Sequence, residues 1–358
     1  MEKSPVVDPH VSRSIDVIRG TAALGVIWGH SMYGINRPVE LNGAFWVWVF
    51  LPLSGYLVAR GFEPQGYGRS PAAFCRFLWN RSLRILPLAW AALLIGALMA
   101  WWHDVLPDTT VRQFLFMPPG NAMSLVGPLW TIAAEMQFYV ASAVLLPWVA
   151  IPPRVRLTAG LVVWPLSLWV AWIWIAAAHD NAFQPRSLVG NLAFFVFGVW
   201  LASIRMPPVR VPRILKVALV VAPVALAWYL QNHKAEYFWQ WGSDTPYPFG
   251  GAAVCALFIC LVVVWTSVPA GPSTWDRGPA RWGIDGLAWC GFYTYGIYVV
   301  HALLTVFDKF IFRLPTGPAM LAYLMLAVPL APLSYRWYER FWLRFRVGRR
   351  SLPVVGAP

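Results

Sequence analysis

Apolar runs long enough to cross a bilayer as a helix, which takes about 20 residues, recur from one end of this chain to the other. Ten are read, at 15–34, 43–60, 83–102, 129–150, 157–178, 187–204, 213–231, 248–268, 286–307 and 318–338. Between them stand breakers such as Pro118-Pro119, Pro152-Pro153, Pro207-Pro208 and Gly271-Pro272, which suit short connections. The composition agrees, with 59% hydrophobic and 12% charged residues, against about 25% charged in a soluble domain. The expected fold class is therefore an all-α polytopic membrane protein. A single domain is expected over 1–358, with short tails at about 1–13 and 341–358 and no soluble domain left over.

A net charge of +13 would point to nucleic acid in a soluble chain. In a polytopic chain it reports basic loops on the cytoplasmic side. With the N-terminus placed inside, only Arg37, Arg112, Arg186, Lys234, Lys309 and Arg313 of the 28 basic residues fall outside. This asymmetry predicts about ten spans with both termini cytoplasmic and removes the need for a nucleic-acid partner. The first span, interrupted by charge and preceded by acid, does not look like a cleaved leader and is expected to persist. Cys75, Cys255, Cys260 and Cys290 show no metal-ligand spacing, so no metal is expected and apolar packing is their expected role.

The first span, SIDVIRGTAALGVIWGHSMYG, carries Asp16, Arg19 and His30, and ionisable groups in hydrocarbon need a partner, a cavity or a ligand. Arg19 and His30 are eleven residues apart, three turns plus about 20°, so they share a face about 16.5 Å apart along the axis. Asp16 is spaced to pair with Arg19. A snorkelling arginine with its counter-ion explains Asp16 and Arg19 equally well.

Two further positions join His30. Glu135, in GPLWTIAAEMQFYVA, lies about 10 Å in from the outer end of the fourth span, at a depth similar to His30. His301, in YTYGIYVVHALL, lies near the outer end of the ninth span. A carboxylate that stabilises a protonated imidazole is a recurring general-base arrangement, although a carboxylate or imidazole that merely bridges helices fits the sequence too. On the inner side, RSPAAFCRFLWNRSLR carries Arg69, Arg76, Arg81 and Arg84, with Arg81 and Arg84 on one helical face. Guanidinium groups grip phosphates bidentately, which makes this a candidate dock for a polyphosphate ligand; an interfacial amphipathic helix with topogenic arginines is the alternative.

Taken together and in order, these segments resemble the acyltransferase 3 family over nearly the whole chain. Arg19 through His30, inside the D-x-x-R-G of Asp16, Arg19 and Gly20, resembles its N-terminal pattern of a basic residue, ten residues and a histidine. FLPLSGYLVAR is similar to its second-helix signature, and Arg81 with Arg84 to its Arg-x-x-Arg motif. LWTIAAEMQFYV resembles the segment holding its Glu and Tyr, here Glu135 and Tyr139, with Thr131 and Ile132 in place of the commoner Ser and Leu. YGIYVVH and YERFW are similar to its late Tyr-and-His and C-terminal motifs.

The resemblance implies transfer of an acyl group, usually acetyl, from cytoplasmic acyl-CoA to a hydroxyl, often on an extracytoplasmic glycan. On that reading His30 and Glu135 are catalytic, Arg19, Arg81 and Arg84 bind acyl-CoA, and Asp16, His301 and Tyr139 support them. Acetyl-CoA is the co-substrate, and the setting is a bacterial cytoplasmic (inner) membrane. The outward loop QNHKAEYFWQWGSDTPYP offers Trp239, Trp241 and Asp244 as acceptor-binding candidates, although an aromatic belt accounts for its tryptophans equally well. A stand-alone enzyme acting on exopolysaccharide, O-antigen or a lipid-linked oligosaccharide is the first expectation. A proton-coupled exporter built on His30, Glu135 and His301, or acylation of a small molecule such as a macrolide, are the competing readings.

Overall fold

A computed structural model describes residues 9–32, 43–64, 66–117, 124–176, 187–204 and 279–348, with positions 218, 221, 222 and 225. Among the described residues every regular element is helical. The longer ones are α1 (Pro9–Ser31), α2 (Gly43–Gly61), α3 (Pro71–Trp102), α5 (Trp130–Ala141), α7 (Pro153–Ala176), α8 (Leu192–Leu201), α9 (Pro279–Phe292) and α10 (Thr294–Phe307). Short helices α4 (Thr110–Phe114) and α6 (Leu145–Ala150) lie between them, and α11 (Pro318–Met325), α12 (Ala327–Ser334) and α13 (Arg340–Leu343) follow. Among the described residues, four helical stretches are long and apolar enough to cross a membrane: Pro71–Trp102, Gly127–Ala150, Thr294–Phe312 and Pro318–Leu343. The expected spans at 213–231 and 248–268, and the loop residues Trp239, Trp241 and Asp244, lie outside the described residues.

Two boundaries differ from the sequence reading. The arginine-bearing segment before residue 83 is continuous with the third span. α3 starts at Pro71, where the Ser70 hydroxyl accepts from the Ala73 N–H at 3.1 Å and proline fills the first turn. At 32 residues it is about 48 Å long, well beyond the hydrocarbon thickness of about 30 Å, so its N-terminal turns extend past the apolar layer. The run at 286–307 is divided between α9 and α10. Its break follows from local chemistry: the Thr294 hydroxyl donates to the carbonyls of Cys290 (3.2 Å) and Gly291 (2.7 Å), competing with the helical ladder.

Packing between helices relies on close backbone approach, as it must where lipid and side chains are equally apolar. α1 lies against α9 with Gly20 facing the carbonyl of Leu287 and Gly291 facing that of Asp16; a Cβ on either glycine would come within 2.0 Å and 1.8 Å of those oxygens. Charge ties the same two helices at one end, where Asp285 accepts from Arg13 and, at 3.3 Å, from Arg281. At the other end the Gly317 N–H donates to the Ser31 carbonyl at 2.8 Å. Gly317 has φ +107°, open to glycine at no steric cost. The final turn of α1 is thereby fixed next to α11.

α3 is held by hydroxyls around its internal proline. Tyr338 donates to the Pro87 carbonyl at 3.1 Å, and Tyr295 to that of Ile85. Both bonds tie neighbouring elements to α3 through carbonyls close to its proline. Farther toward its N-terminus, Asn80 grips the chain after α13 with both ends of its amide: Nδ2 donates to the Val347 carbonyl (3.0 Å), and Oδ1 accepts from the Val347 N–H (2.9 Å). Trp79 adds a bond to the Phe345 carbonyl at 3.0 Å.

Candidate active site

The polar groups inside the helix bundle gather at two stations along α1. The first is at its C-terminal end. The His30 ring lies 5.4 Å from that of His301, centroid to centroid, tilted by 38°. His301 projects from the middle of α10 and is 1% exposed. Neither of its ring nitrogens makes a hydrogen bond of normal geometry among the described residues, although the Ile297 and Tyr298 carbonyls of the preceding turn lie close by. Tyr298, three residues before His301 and so on the same side of the helix, meets its ring edge-on at 5.1 Å. The Tyr298 hydroxyl donates to the Pro128 carbonyl and is 2.6 Å from the Thr131 hydroxyl, so Thr131 supplies the second proton. Two imidazoles therefore lie beside a phenol that is fixed by its own hydrogen bonds.

The second station is about three turns along α1, around Arg19. Its guanidinium lies within electrostatic range of Asp16, Arg84, Glu135 and Arg81. Arg81 rests over the rings of Phe77 (5.7 Å) and Tyr139 (5.4 Å). No ion pair of Arg81 is formed among the described residues, so its N–H donors are available to an anion. Arg84 is differently placed. It pairs with Glu339 at 3.2 Å and lies between the rings of Tyr295 (5.7 Å) and Tyr335 (5.8 Å). The side chain of Glu339 is 4% exposed and that of Arg84 20%. Leaving either alone would strand a largely buried charge.

Glu135 sits between the stations, with Arg19, Tyr295 and Tyr298 all within range of its charge. One carboxylate oxygen, Oε1, accepts from Ser54 at 2.7 Å and from Tyr139, one turn along α5. A carboxylate that receives two hydroxyl donors on one oxygen is fixed in direction. The sequence brought Glu135 level with His30. In the structure its hydrogen bonds go to Ser54 and Tyr139, and the ring beside His30 is that of His301.

Ser54, Tyr298 and Glu339 were not singled out by sequence reasoning. The spacing from Tyr298 to His301 was a usable signal, as was a serine inside the apolar run FLPLSGYLV. Glu339 stood in a recognised motif, but nothing in the sequence paired it with Arg84. Among the described residues, no group of three or more His, Cys, Asp or Glu is arranged to hold a metal ion.

Two imidazoles, an oriented carboxylate and a guanidinium cluster arrayed beside α1 form a constellation suited to moving a proton at one end and holding an anion at the other. The profile of the acyltransferase 3 family, described as an acyltransferase domain, matches residues 12–336. The chain belongs to that family. It is an integral membrane protein, as its apolar helices and its family agree.

Individual relatives are distant. A protein of Staphylococcus aureus strain COL, provisionally named an O-acetyltransferase, is 23% identical over 365 residues, covering 91% of this chain and 56% of its own length. A counterpart from strain N315 matches to the same extent. Nodulation protein 10 of Rhizobium leguminosarum bv. viciae is 24% identical over 338 residues, covering 82% of this chain and 84% of its own length. The chain thus spans about half the length of its staphylococcal relatives. No solved structure matches it.

Proposed function

We propose that the protein is a membrane O-acyltransferase that moves an acyl group, acetyl by preference, from cytoplasmic acyl-CoA to a hydroxyl of an extracytoplasmic or lipid-linked glycan. The observation that carries this reading is the alignment of His30 and the Arg19–Arg81 cluster along one helix in a chain of the acyltransferase 3 family. About ten spans with both termini cytoplasmic, in a bacterial inner membrane, complete the topology and put the arginine station nearest the donor's side.

The residues suit a polyphosphate thioester. Arg81 and Arg19 have guanidinium donors to give to phosphate, and Arg84 adds charge from its fixed seat beside Glu339. Asp16 moderates the charge of Arg19. At the other station neutral His30 takes the proton of the acceptor hydroxyl as its oxygen attacks the thioester carbonyl carbon. The C–S bond then breaks, and the imidazolium returns that proton to the departing thiolate, giving an ester and free CoA thiol. His301, with no strong bond of its own, is available to donate to the oxyanion formed at the carbonyl. Glu135, held by Ser54 and Tyr139, favours the imidazolium through its charge rather than through a direct hydrogen bond. Trp239, Trp241 and Asp244 are proposed to receive the sugar rings of the acceptor.

The test compares glycan acetylation in cells bearing the native chain and His30→Ala, with membrane levels of both proteins measured. Loss of one defined acetyl signal in the variant supports the reading and identifies the acceptor. Full acetylation by His30→Ala overturns it. Binding of acetyl-CoA by the purified protein separates a transferase from an exporter, which needs no such ligand.

A further inference from the structure

The end of the last apolar stretch has a surface that the reaction above does not use. Pro318–Leu343 is long and apolar enough to span a membrane, and its final turns carry Arg336, Arg340 and Arg344 at four-residue spacing. Trp337, Phe341 and Phe345 follow at the same spacing, one position on. The six positions run through a π-helical turn (Tyr335–Glu339), the short α13 and the turn that follows it, and their exposure puts both sets on the outer side of the bundle. All six side chains are exposed, with Trp337 at 76%, Phe341 at 49% and Phe345 at 51%. Between them Tyr335 and Glu339 face the protein, Tyr335 against Phe292 and Tyr293 and Glu339 paired with Arg84. The bonds from Asn80 to Val347 and from Trp79 to Phe345 fasten the following residues to α3, so the double stripe is held in a fixed direction.

A paired basic and aromatic stripe at the end of a span matches one environment. A tryptophan, with its polar N–H edge, settles where acyl chains meet headgroups, phenylalanines beside it lie against the acyl chains, and arginines at that level face phosphate diesters. We propose that Arg336, Arg340 and Arg344, flanked by Trp337, Phe341 and Phe345, form a binding site for anionic phospholipid headgroups of the surrounding bilayer. This site is separate from the donor station: Arg81 and Arg84 lie against Tyr139, Tyr295 and Tyr335 inside the bundle, whereas the stripe faces outward. Each arginine near an acidic lipid surface adds to the attraction, so three together support local enrichment of about tenfold or more over a zwitterionic lipid.

The test uses the full chain in nanodiscs containing either brominated phosphatidylglycerol or brominated phosphatidylcholine at equal bromine content. The fluorescence of Trp337 is isolated as the difference between native protein and Trp337→Phe. The expected result is markedly stronger quenching by the anionic lipid, and equal quenching by the two lipids when Arg336, Arg340 and Arg344 are all replaced by Gln. The triple variant alters only exposed positions, and its helical circular dichroism and elution volume check that it remains folded. Equal quenching by both lipids in the native protein overturns the proposal, as does a preference that survives the triple substitution. Abolition of the preference by millimolar free CoA or inorganic phosphate assigns the stripe to a soluble anion and overturns it too.

Discussion

The two stations along α1 solve opposite problems. At the arginine station, charge is kept in a greasy setting by partners: Glu339 and two tyrosine rings for Arg84, Phe77 and Tyr139 for Arg81. At the histidine station, His301 is buried with almost nothing to bond, beside a tyrosine whose own hydrogen bonds are complete. Charge that is already paired, as in Arg84 with Glu339, suits holding the helices together, while the donors that Arg81 keeps unpaired among the described residues suit an incoming anion. Unsatisfied polarity is suited to chemistry, because its bonds are left for a reacting group.

Four substitutions sharpen or break that contrast. The largest effect is expected at the histidine station, where His30→Ala should reduce acyl transfer by about 10²–10⁴-fold with unchanged donor affinity. Steady-state transfer beside equilibrium acetyl-CoA binding reads both, and a matched loss of binding would erase the division of labour. Glu135→Gln keeps a side chain that Ser54 and Tyr139 can hold but deletes its charge. Transfer should fall by about a hundredfold, and a variant with native rate would show that only its shape matters.

At the arginine station the expected damage is to stability and binding. Glu339→Gln leaves Arg84 without its anion, and breaking such a pair costs about 3 kcal/mol, toward the lower end here because Arg84 keeps some exposure. A fall in the melting temperature of purified protein measures it. An unchanged melting temperature would mean that the tyrosine rings alone secure Arg84. The smallest effect is expected for Arg81→Lys, which keeps charge but loses the planar fork and its stacking on Tyr139. Donor KM should rise about three- to tenfold with kcat little altered. A fall in kcat alone would move Arg81 into the chemistry.

How much of this was readable in the chain differs between the two stations. Arg19, Arg81, Arg84 and His30 could be found because each is a costly residue in an apolar run, and helical periodicity then put Arg19 and His30 on one face. The partners could not be found that way. Ser54 is inexpensive in a membrane helix and leaves no mark on hydropathy, and the pairing of Arg84 with Glu339 joins positions 255 residues apart through tertiary packing alone. Hydropathy also failed where side chains overrule it. The run at 286–307 is apolar enough to read as one span, yet Thr294 divides it by bonding back to Cys290 and Gly291. The arginines before residue 83 suit the cytoplasmic side and so separate from the apolar run, whereas Ser70 and Pro71 begin one continuous helix there.

α1 is pinned at both ends, by Asp285 near its start and Gly317 at its finish, and its flank is locked against α9 by glycine. A helix so restrained cannot stretch or slide, so it acts as a ruler between the guanidinium groups and the imidazoles. On the proposed reading, reach becomes a means of selection: a donor whose charged head and reactive end are joined by too short an arm would bind without reacting. Discrimination among donors would then rest on the pitch of a single helix.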